Sequence, residues 1–131
     1  MMKEIDFKQL IKSASEAAEN AYAPYSNFKV GACILFDDGS TFCGCNVENA
    51  SYGLTICAER NALSSAVAAG KKTGLAAVAI FSPNSKLCYP CGACRQWIYE
   101  FSHSALIAFE DENGEPMIKN ITELLPYAFE L

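Results

Sequence analysis

The feature that most constrains this chain is a set of three cysteines, Cys57 and the pair Cys91 and Cys94. Cys57 begins the run Cys-Ala-Glu-Arg, and the pair lies in the run Pro-Cys-Gly-Ala-Cys-Arg. Two cysteines three residues apart at a helix start can direct both sulfur atoms toward one ion, and Cys57 at another helix start supplies a third. Three ligands leave one position for water, as in catalytic zinc sites. We therefore expect one zinc ion per chain, held by these cysteines.

The residues beside the cysteines indicate how such a site could work. Glu59 lies two residues after Cys57 and could move a proton between the water and a substrate, although an exposed helix carboxylate is the ordinary alternative. Three thiolates give the zinc centre a net negative charge, which hydrogen bonds to sulfur would offset. We predict that Arg60, Arg95 or both donate such bonds. Their alternative is a position on the surface.

Hydrophobic periodicity predicts the order of helices and strands. Apolar spacings of three and four predict helices at 7–22, 56–69 and 92–101, with a closing turn at 122–125. β-prone runs predict strands at 28–36, 41–47, 75–81, 105–109 and 116–118, and the first two flank an Asp-Gly turn. Parallel neighbouring strands need crossover connections, which the later helices can provide. We predict a three-layer α/β/α fold with a mixed five-stranded sheet, formed by residues 1–131 as a single domain.

Charge and cysteine usage exclude several classes of partner and location. The net charge of −5 speaks against a surface that neutralises phosphates, so we expect no nucleic acid partner. No stretch approaches the roughly 20 apolar residues of a membrane span, and the N-terminus lacks a signal-peptide core. We expect a cytoplasmic protein without a membrane partner. Cys33, Cys43, Cys45 and Cys88 form no second metal pattern, and we expect them to be structural.

At these motifs the chain resembles the cytidine deaminases, in particular their short, homotetrameric class with three cysteine ligands. The similarity runs nearly end to end and includes YSNFKVGA at 25–32, NVENASY at 46–52 and LLPYAF at 124–129. It implies a cytidine deaminase-like fold and zinc-dependent hydrolytic deamination of cytidine and 2′-deoxycytidine. The products would be uridine, 2′-deoxyuridine and ammonia. The implied role is pyrimidine salvage, although the sequence does not decide between salvage and catabolism.

The resemblance also implies roles for individual residues. Phe28 would pack against the pyrimidine ring, Asn46 and Glu48 would bind the ribose hydroxyls, and the backbone of Ala58 would contact the base. Glu59 would contact the ring nitrogen and the amine as the catalytic residue. On sequence grounds alone, Asn46 and Glu48 are better explained as turn-forming and solvated residues, and Phe28 and Phe129 as core aromatics.

Two aromatic residues are implied to lie where subunits meet. The loop that ends at Tyr52 would lie at a subunit boundary, and Phe129 would reach the site of a neighbouring subunit. The resemblance thus implies a homotetramer with shared sites, which composition and periodicity do not indicate. Two departures from the family pattern, Asn61 and Trp97, remove no chemical group.

Two other functions remain open. A related zinc deaminase could act on a nucleoside antibiotic such as blasticidin S or on a nucleotide, although the carboxylate of Glu48 would repel a phosphate. A zinc-binding module without enzymatic activity would need a fourth protein ligand to close the site. The preference between cytidine and deoxycytidine is left undecided by the sequence.

Overall fold

A mixed five-stranded sheet forms the centre of the structure, a computed structural model that describes residues 4–131. The strands are β1 Gly31–Phe36, β2 Thr41–Cys45, β3 Leu75–Phe81, β4 Leu106–Glu110 and β5 Pro116–Asn120. Their spatial order is β2-β1-β3-β4-β5, with β3 and β4 parallel and the other neighbours antiparallel. The predicted mixed sheet is therefore confirmed.

Helices cover both faces of the sheet. They are α1 Phe7–Ala18, α2 Ala58–Ala68, α3 Gly92–Phe101 and α4 Ile121–Leu124, with a short 3₁₀ turn at Tyr52–Leu54. Helix α1 packs on one face through Leu10, Ile11 and Ala14, and the other helices pack on the opposite face. The predicted three-layer α/β/α arrangement is confirmed. None of the helices described has the length and apolar character needed to cross a membrane.

Two glycines allow helices to lie directly against the sheet. A Cβ at Gly31 would lie 1.9 Å from the Ala14 carbonyl oxygen, and a Cβ at Gly44 would lie 2.6 Å from the Ala62 amide nitrogen. Real Cβ atoms do not approach backbone this closely, so only glycine fits at either position. Gly44 thereby fixes the distance between β2 and α2, the helix that follows Cys57.

Helix α1 ends earlier than the sequence predicts. The pattern predicted a helix to residue 22, but α1 ends at Ala18. The backbone of Tyr22 instead donates to the Asn46 carbonyl at 3.0 Å and accepts from the Glu48 amide at 2.9 Å. Pairing with a distant segment thus replaces the last helical turn, because it satisfies the same backbone groups. The prediction for residues 19–22 was wrong.

The first strand also begins later than predicted. Residues 28–30 precede β1, and side chains rather than a neighbouring strand bind their amides. The Lys29 amide donates to Asn84 Oδ1 at 2.8 Å, and the Val30 amide donates to Asn46 Oδ1 at 2.9 Å. This segment is therefore a loop held by asparagine side chains, not an extension of the sheet.

Cys33 and Cys43 form a disulfide that the sequence did not predict. They face each other across β1 and β2, with their Cα atoms 4.1 Å apart. Cys33 is buried beneath α1, whereas Cys43 on the edge strand is exposed. Cys45 and Cys88 are free cysteines. Cys33 and Cys43 are therefore joined covalently, whereas we expected all four cysteines to be structural without a bond between any of them.

Candidate active site

The three cysteines of the motif lie together where two helices begin. Cys57 is the N-cap residue of α2, Cys91 is the N-cap residue of α3, and Cys94 is buried in the first turn of α3. Neither N-cap side chain bonds to its own helix backbone, which leaves both sulfur atoms free to turn toward each other. All three Sγ atoms lie within 4.8 Å of one another.

The geometry and chemistry of this cluster fit a zinc ion. Zn–S bonds of about 2.3 Å in a tetrahedral arrangement separate the sulfur atoms by about 3.8 Å. The Sγ atoms of Cys57 and Cys91 are 3.7 Å apart. A hydrogen bond from the Cys94 thiol, supported by Arg60, holds the pKa of the Cys57 thiol well below its usual range. The cluster thus already favours a thiolate, the form that binds zinc.

Glu59 lies in the first turn of α2 and is buried, with 3% of its surface exposed. Burial, with a smaller contribution from the charge on Cys57, raises the pKa of its carboxyl to about 7. The side chain lines the same cavity as Cys57 and Cys91. The structure therefore brings together the predicted ligands and the predicted proton carrier.

The two predicted arginines differ in what they contact. Arg60 Nη2 donates to Cys57 Sγ at 3.4 Å, and within residues 4–131 its buried Nε has no hydrogen-bond partner. Arg95 donates instead to two carbonyl oxygens, those of Pro90 and Leu124, each at 2.8 Å. Of the two candidate donors to ligand sulfur, Arg60 therefore makes the predicted hydrogen bond and Arg95 does not. The planar guanidinium group of Arg95 donates to both carbonyl oxygens and so connects the loop before Cys91 to the C-terminal segment.

A cavity of about 360 Å³ adjoins the cysteine cluster and contains most of the predicted substrate contacts. Its lining includes Cys57, Cys91, Glu59, Phe28, Asn46, Glu48 and Ala58. The volume lies within the range of about 300 to 1,000 Å³ usual for small-molecule sites. A larger cavity of about 560 Å³ lies between α1 and the β1–β2 turn, but no residue of the cluster lines it. The residues that line the smaller cavity, and not its volume, therefore identify it as the candidate active site.

Asn46 and Glu48 have hydrogen bonds within the protein. Asn46 accepts from the Val30 amide at 2.9 Å and donates to the Phe28 carbonyl at 2.8 Å. Glu48 accepts from the amides of Tyr25 and Ser26 and from the Ser26 hydroxyl. These hydrogen bonds lower the pKa of the Glu48 carboxyl, and the bond from the Ser26 hydroxyl has the largest effect. The residues predicted to bind ribose are thus held in place by the loop that contains Phe28.

Tyr52 and Phe129 lie outside this cavity in the single chain. Tyr52 lines an adjoining cavity that shares Ser26, Glu48 and Thr55 with the first. Phe129 is 69% exposed, and Gln96 holds its carbonyl oxygen at 3.1 Å. Their predicted contacts across subunit boundaries therefore stay predictions.

Six further residues line the active-site cavity without having been predicted: Ser26, Val30, Thr55, Ile80, Cys88 and Tyr89. Ser26 belongs to the motif at 25–32, and a serine two residues before a predicted substrate contact was the available signal. Tyr89 packs edge-on against the buried Phe109 ring, with their centroids 4.9 Å apart. This contact joins the loop before Cys91 to β4. Motif spacing and hydrophobic periodicity do not predict contacts between residues so far apart in the sequence.

These features define a class of protein, the mononuclear zinc enzymes with three cysteine ligands. Comparison with known proteins makes the assignment specific. Residues 5–110 match the family model described as cytidine and deoxycytidylate deaminase zinc-binding region. The chain is 44% identical to a cytidine deaminase of Halalkalibacterium halodurans over 95% of each chain. It is 43% identical to a cytidine deaminase of Mycobacterium tuberculosis over 99% of this chain and 94% of the other.

A solved structure agrees with these sequence matches. The crystal structure of cytidine deaminase from Burkholderia pseudomallei superposes with a TM-score of 0.89 at 46% identity. The match covers 95% of this chain and 100% of the other. The chain therefore belongs to the cytidine and deoxycytidylate deaminase family of zinc enzymes.

Proposed function

We propose that this protein catalyses the hydrolytic deamination of cytidine and 2′-deoxycytidine to uridine and 2′-deoxyuridine, with release of ammonia, as one domain over its whole length. The observation that supports this most directly is a single cavity lined by two cysteines of the cluster, the buried Glu59 and two polar residues suited to a sugar, Asn46 and Glu48. The cytidine deaminases to which the chain is similar support the same reaction.

The chemistry that zinc supplies when bound by Cys57, Cys91 and Cys94 is Lewis-acid activation of a water. Glu59 accepts a proton from that water and delivers it to the ring nitrogen N3 of cytosine. A bond from the water oxygen to C4 forms, and the bond from C4 to the exocyclic nitrogen breaks. Glu59 takes the second proton from the oxygen now bonded to C4, so that the C4 carbonyl of the product forms, and transfers it to that nitrogen, which leaves as ammonia. Burial of Glu59 excludes bulk water that would compete for these protons.

The remaining lining residues hold the nucleoside. Phe28, which is 38% exposed, presents its ring to the cavity, where it can pack against the pyrimidine. Asn46 uses one N–H and one acceptor position within the protein and keeps one of each for the ligand. Glu48 accepts from a sugar hydroxyl. The backbone of Ala58, at the start of α2, contacts the base.

A substrate panel tests this assignment against its alternatives. The purified, zinc-loaded protein is incubated with cytidine, deoxycytidine, CMP and blasticidin S, and ammonia and deaminated product are both measured. We expect turnover of the two nucleosides and at least about 100-fold lower kcat/KM on CMP, because the charge on Glu48 opposes a nearby phosphate. Turnover confined to blasticidin S or CMP would reject the assignment.

We also propose that the protein is a homotetramer whose sites are shared between subunits. Exposed apolar residues lie in two groups: Tyr22 and Ile56 flank Val47 through backbone bridges, and the ring of Tyr25 packs edge-on against that of Tyr52, with their centroids 6.0 Å apart. Such patches mark interaction sites. Light scattering should give four times the chain mass, and a monomer at working concentration would contradict the proposal.

The shared site has a separate test. Phe129 would complete the cavity of a neighbouring subunit, so Phe129→Ala should raise the KM for cytidine while the protein remains tetrameric. Mixed tetramers of Phe129→Ala and Glu59→Gln chains should then recover part of the activity, because some sites receive both native residues. Failure of such mixtures to exceed the activity of either variant would reject shared sites.

A cytoplasmic location and a role in pyrimidine salvage complete the proposal. Three ligand thiols must remain reduced to bind zinc, and a reducing compartment maintains them, while burial of Cys33 shields the Cys33–Cys43 disulfide from attack by the thiols of that compartment. Fractionation of cells that produce the protein should recover it with cytoplasmic markers. A pyrimidine-requiring strain without a deaminase of its own should grow on cytidine when it makes this protein. Recovery outside the cytoplasm, or no growth on cytidine, would contradict the respective claim.

A further inference from the structure

We propose that Ser26 is a positioning residue for sugar recognition: its hydroxyl fixes the plane in which the Glu48 carboxylate meets a hydroxyl of the substrate. This inference rests on the proposed function and deepens it. Neither residue of the pair belongs to the zinc site, so the effect concerns binding of the nucleoside and not the chemical step.

The hydroxyl of Ser26 lies between two predicted substrate contacts. Its oxygen donates to Glu48 Oε2 and accepts from the Phe28 amide at 3.0 Å. Asn27, which lies between Ser26 and Phe28, adopts the left-handed conformation with φ of 59°. Asparagine tolerates this conformation, which allows the Phe28 amide to turn back to the Ser26 hydroxyl. The single proton of the hydroxyl is used by Glu48, so Ser26 has none to give to a ligand. It therefore acts through its neighbour.

The hydrogen bonds to Glu48 divide between its two oxygens. Oε1 accepts from the Tyr25 amide at 2.9 Å and from the Ser26 amide at 3.1 Å. Oε2 accepts from the Ser26 hydroxyl. An ionised carboxylate offers about four acceptor positions, so these three bonds leave about one for a ligand. That remaining position belongs to Oε2, the oxygen that Ser26 holds.

The Ser26 hydroxyl is needed because the two amides fix only one oxygen. With Oε1 held and Oε2 free, the carboxylate plane could rotate, and Oε2 would sample orientations that do not face the sugar. A hydroxyl on Oε2 removes that freedom before the substrate arrives. Preorganised acceptors lose less freedom on binding and therefore bind more tightly. Removal of the hydroxyl should weaken the contact to the sugar without displacing the base.

Ser40 offers a matched control in the turn between β1 and β2. Its hydroxyl donates to Asp38 Oδ1 at 2.7 Å and its amide donates to the same oxygen at 3.0 Å. Ser40→Ala therefore removes a bond of the same chemistry from a carboxylate that does not line the active-site cavity. Ser26→Thr keeps the hydroxyl and serves as the conservative variant.

The test compares kcat and KM on cytidine and on 2′,3′-dideoxycytidine, which lacks the 2′- and 3′-hydroxyls and keeps the 5′-hydroxyl. Ser26→Ala should raise the KM for cytidine roughly 5- to 30-fold, less than the roughly 10- to 150-fold that loss of a whole bond to a charged group costs, because Glu48 itself remains; kcat should change less than about twofold. On dideoxycytidine the same variant should match the parent, because neither the 2′- nor the 3′-hydroxyl remains to donate to Glu48. Ser26→Thr should recover most of the affinity, and Ser40→Ala should change neither substrate.

Equal losses on both substrates would overturn the inference, since they would show that Ser26 acts through Phe28 or on the fold. Additive losses in the Ser26→Ala, Glu48→Gln double variant would overturn it too. Calorimetry with uridine and 2′,3′-dideoxyuridine separates the two proposals, because neither product turns over. If Ser26→Ala weakens uridine alone, the inference holds even where cytidine is not deaminated. If the parent binds neither product, both the inference and the proposed function fail.

Discussion

A methyl group added at Gly44 is expected to push α2 away from the sheet. The new Cβ would lie 2.6 Å from the Ala62 amide nitrogen and 2.8 Å from the Ala58 carbonyl oxygen, where ordinary contact begins at 3.4 Å. Both atoms belong to the α2 backbone, so neither can move aside as a flexible side chain would. Relief of the closer contact requires a separation of about 0.8 Å, a distance large enough to disturb a well-packed interface.

This displacement would act on the metal site because the ligands lie on two helices. Cys57 moves with α2, whereas Cys91 and Cys94 belong to α3. Metal–ligand distances tolerate about 0.2 Å, so the shift exceeds what the site accepts. Gly44→Ala should therefore weaken zinc binding at least about 10-fold and lower kcat/KM about 100-fold. Overpacking of roughly 1–3 kcal/mol should also lower Tm by about 3–12 °C.

Three measurements on the purified variant test this reasoning: zinc affinity by competition with a chelator, kcat/KM on cytidine, and Tm. Gly53→Ala is the control, because a Cβ there meets nothing within 4 Å. It should match the parent in zinc affinity and Tm. A Gly44→Ala protein with parental zinc affinity and parental kcat/KM would refute the argument, even if its Tm were lower, because α2 would then have relaxed without moving its ligand.

Three other predictions address single interactions. Replacing both Cys33 and Cys43 by alanine should lower the free energy of unfolding in denaturant by about 2–3 kcal/mol, because the bond closes a short loop; unchanged stability would show that the bond does not form. Arg60→Gln should weaken zinc binding about 10- to 100-fold in chelator competition, whereas Arg95→Gln should lower Tm and leave zinc affinity unchanged; equal effects would contradict their different contacts. Hydrogen bonds, first of all the one from Lys71, hold the pKa of Asp38 below its usual 3.8, so its stabilisation is present above that pH and is lost as the pH falls below it; Asp38→Asn should lose less stability than the parent in melts between about pH 5 and 3, and equal losses would contradict this reasoning.

Elements set by local pattern were predicted with their bounds. Strand β3 matches the predicted 75–81 because its apolar run has no interruption and ends at turn residues. Helix α3 matches the predicted 92–101, where Cys91 marks the N-cap and Ser102 the end. The cysteine cluster was predictable for a related reason. Its residues are short, fixed in spacing and of a type that few other roles require.

Features that depend on distant partners could not be predicted. The disulfide requires knowledge that Cys33 lies opposite Cys43, and a register shift of one residue would place the two on opposite faces. Arg95 was assigned to sulfur because it follows Cys94, yet its second partner, the Leu124 carbonyl, is far away in sequence. Chain neighbours are visible in a sequence, whereas the direction of a long side chain is decided by packing.

The most direct test of the account is the ultraviolet change on conversion of cytidine to uridine, followed with the zinc-loaded parent and a Glu59→Gln variant. The account predicts rapid loss of cytidine with the parent and a kcat at least about 100-fold lower with the variant, because Glu59 moves both protons. Glu112→Gln, a change of the same chemistry at an exposed turn, should match the parent. No turnover by a folded, zinc-loaded parent, or equal turnover by the Glu59→Gln variant, would contradict the account.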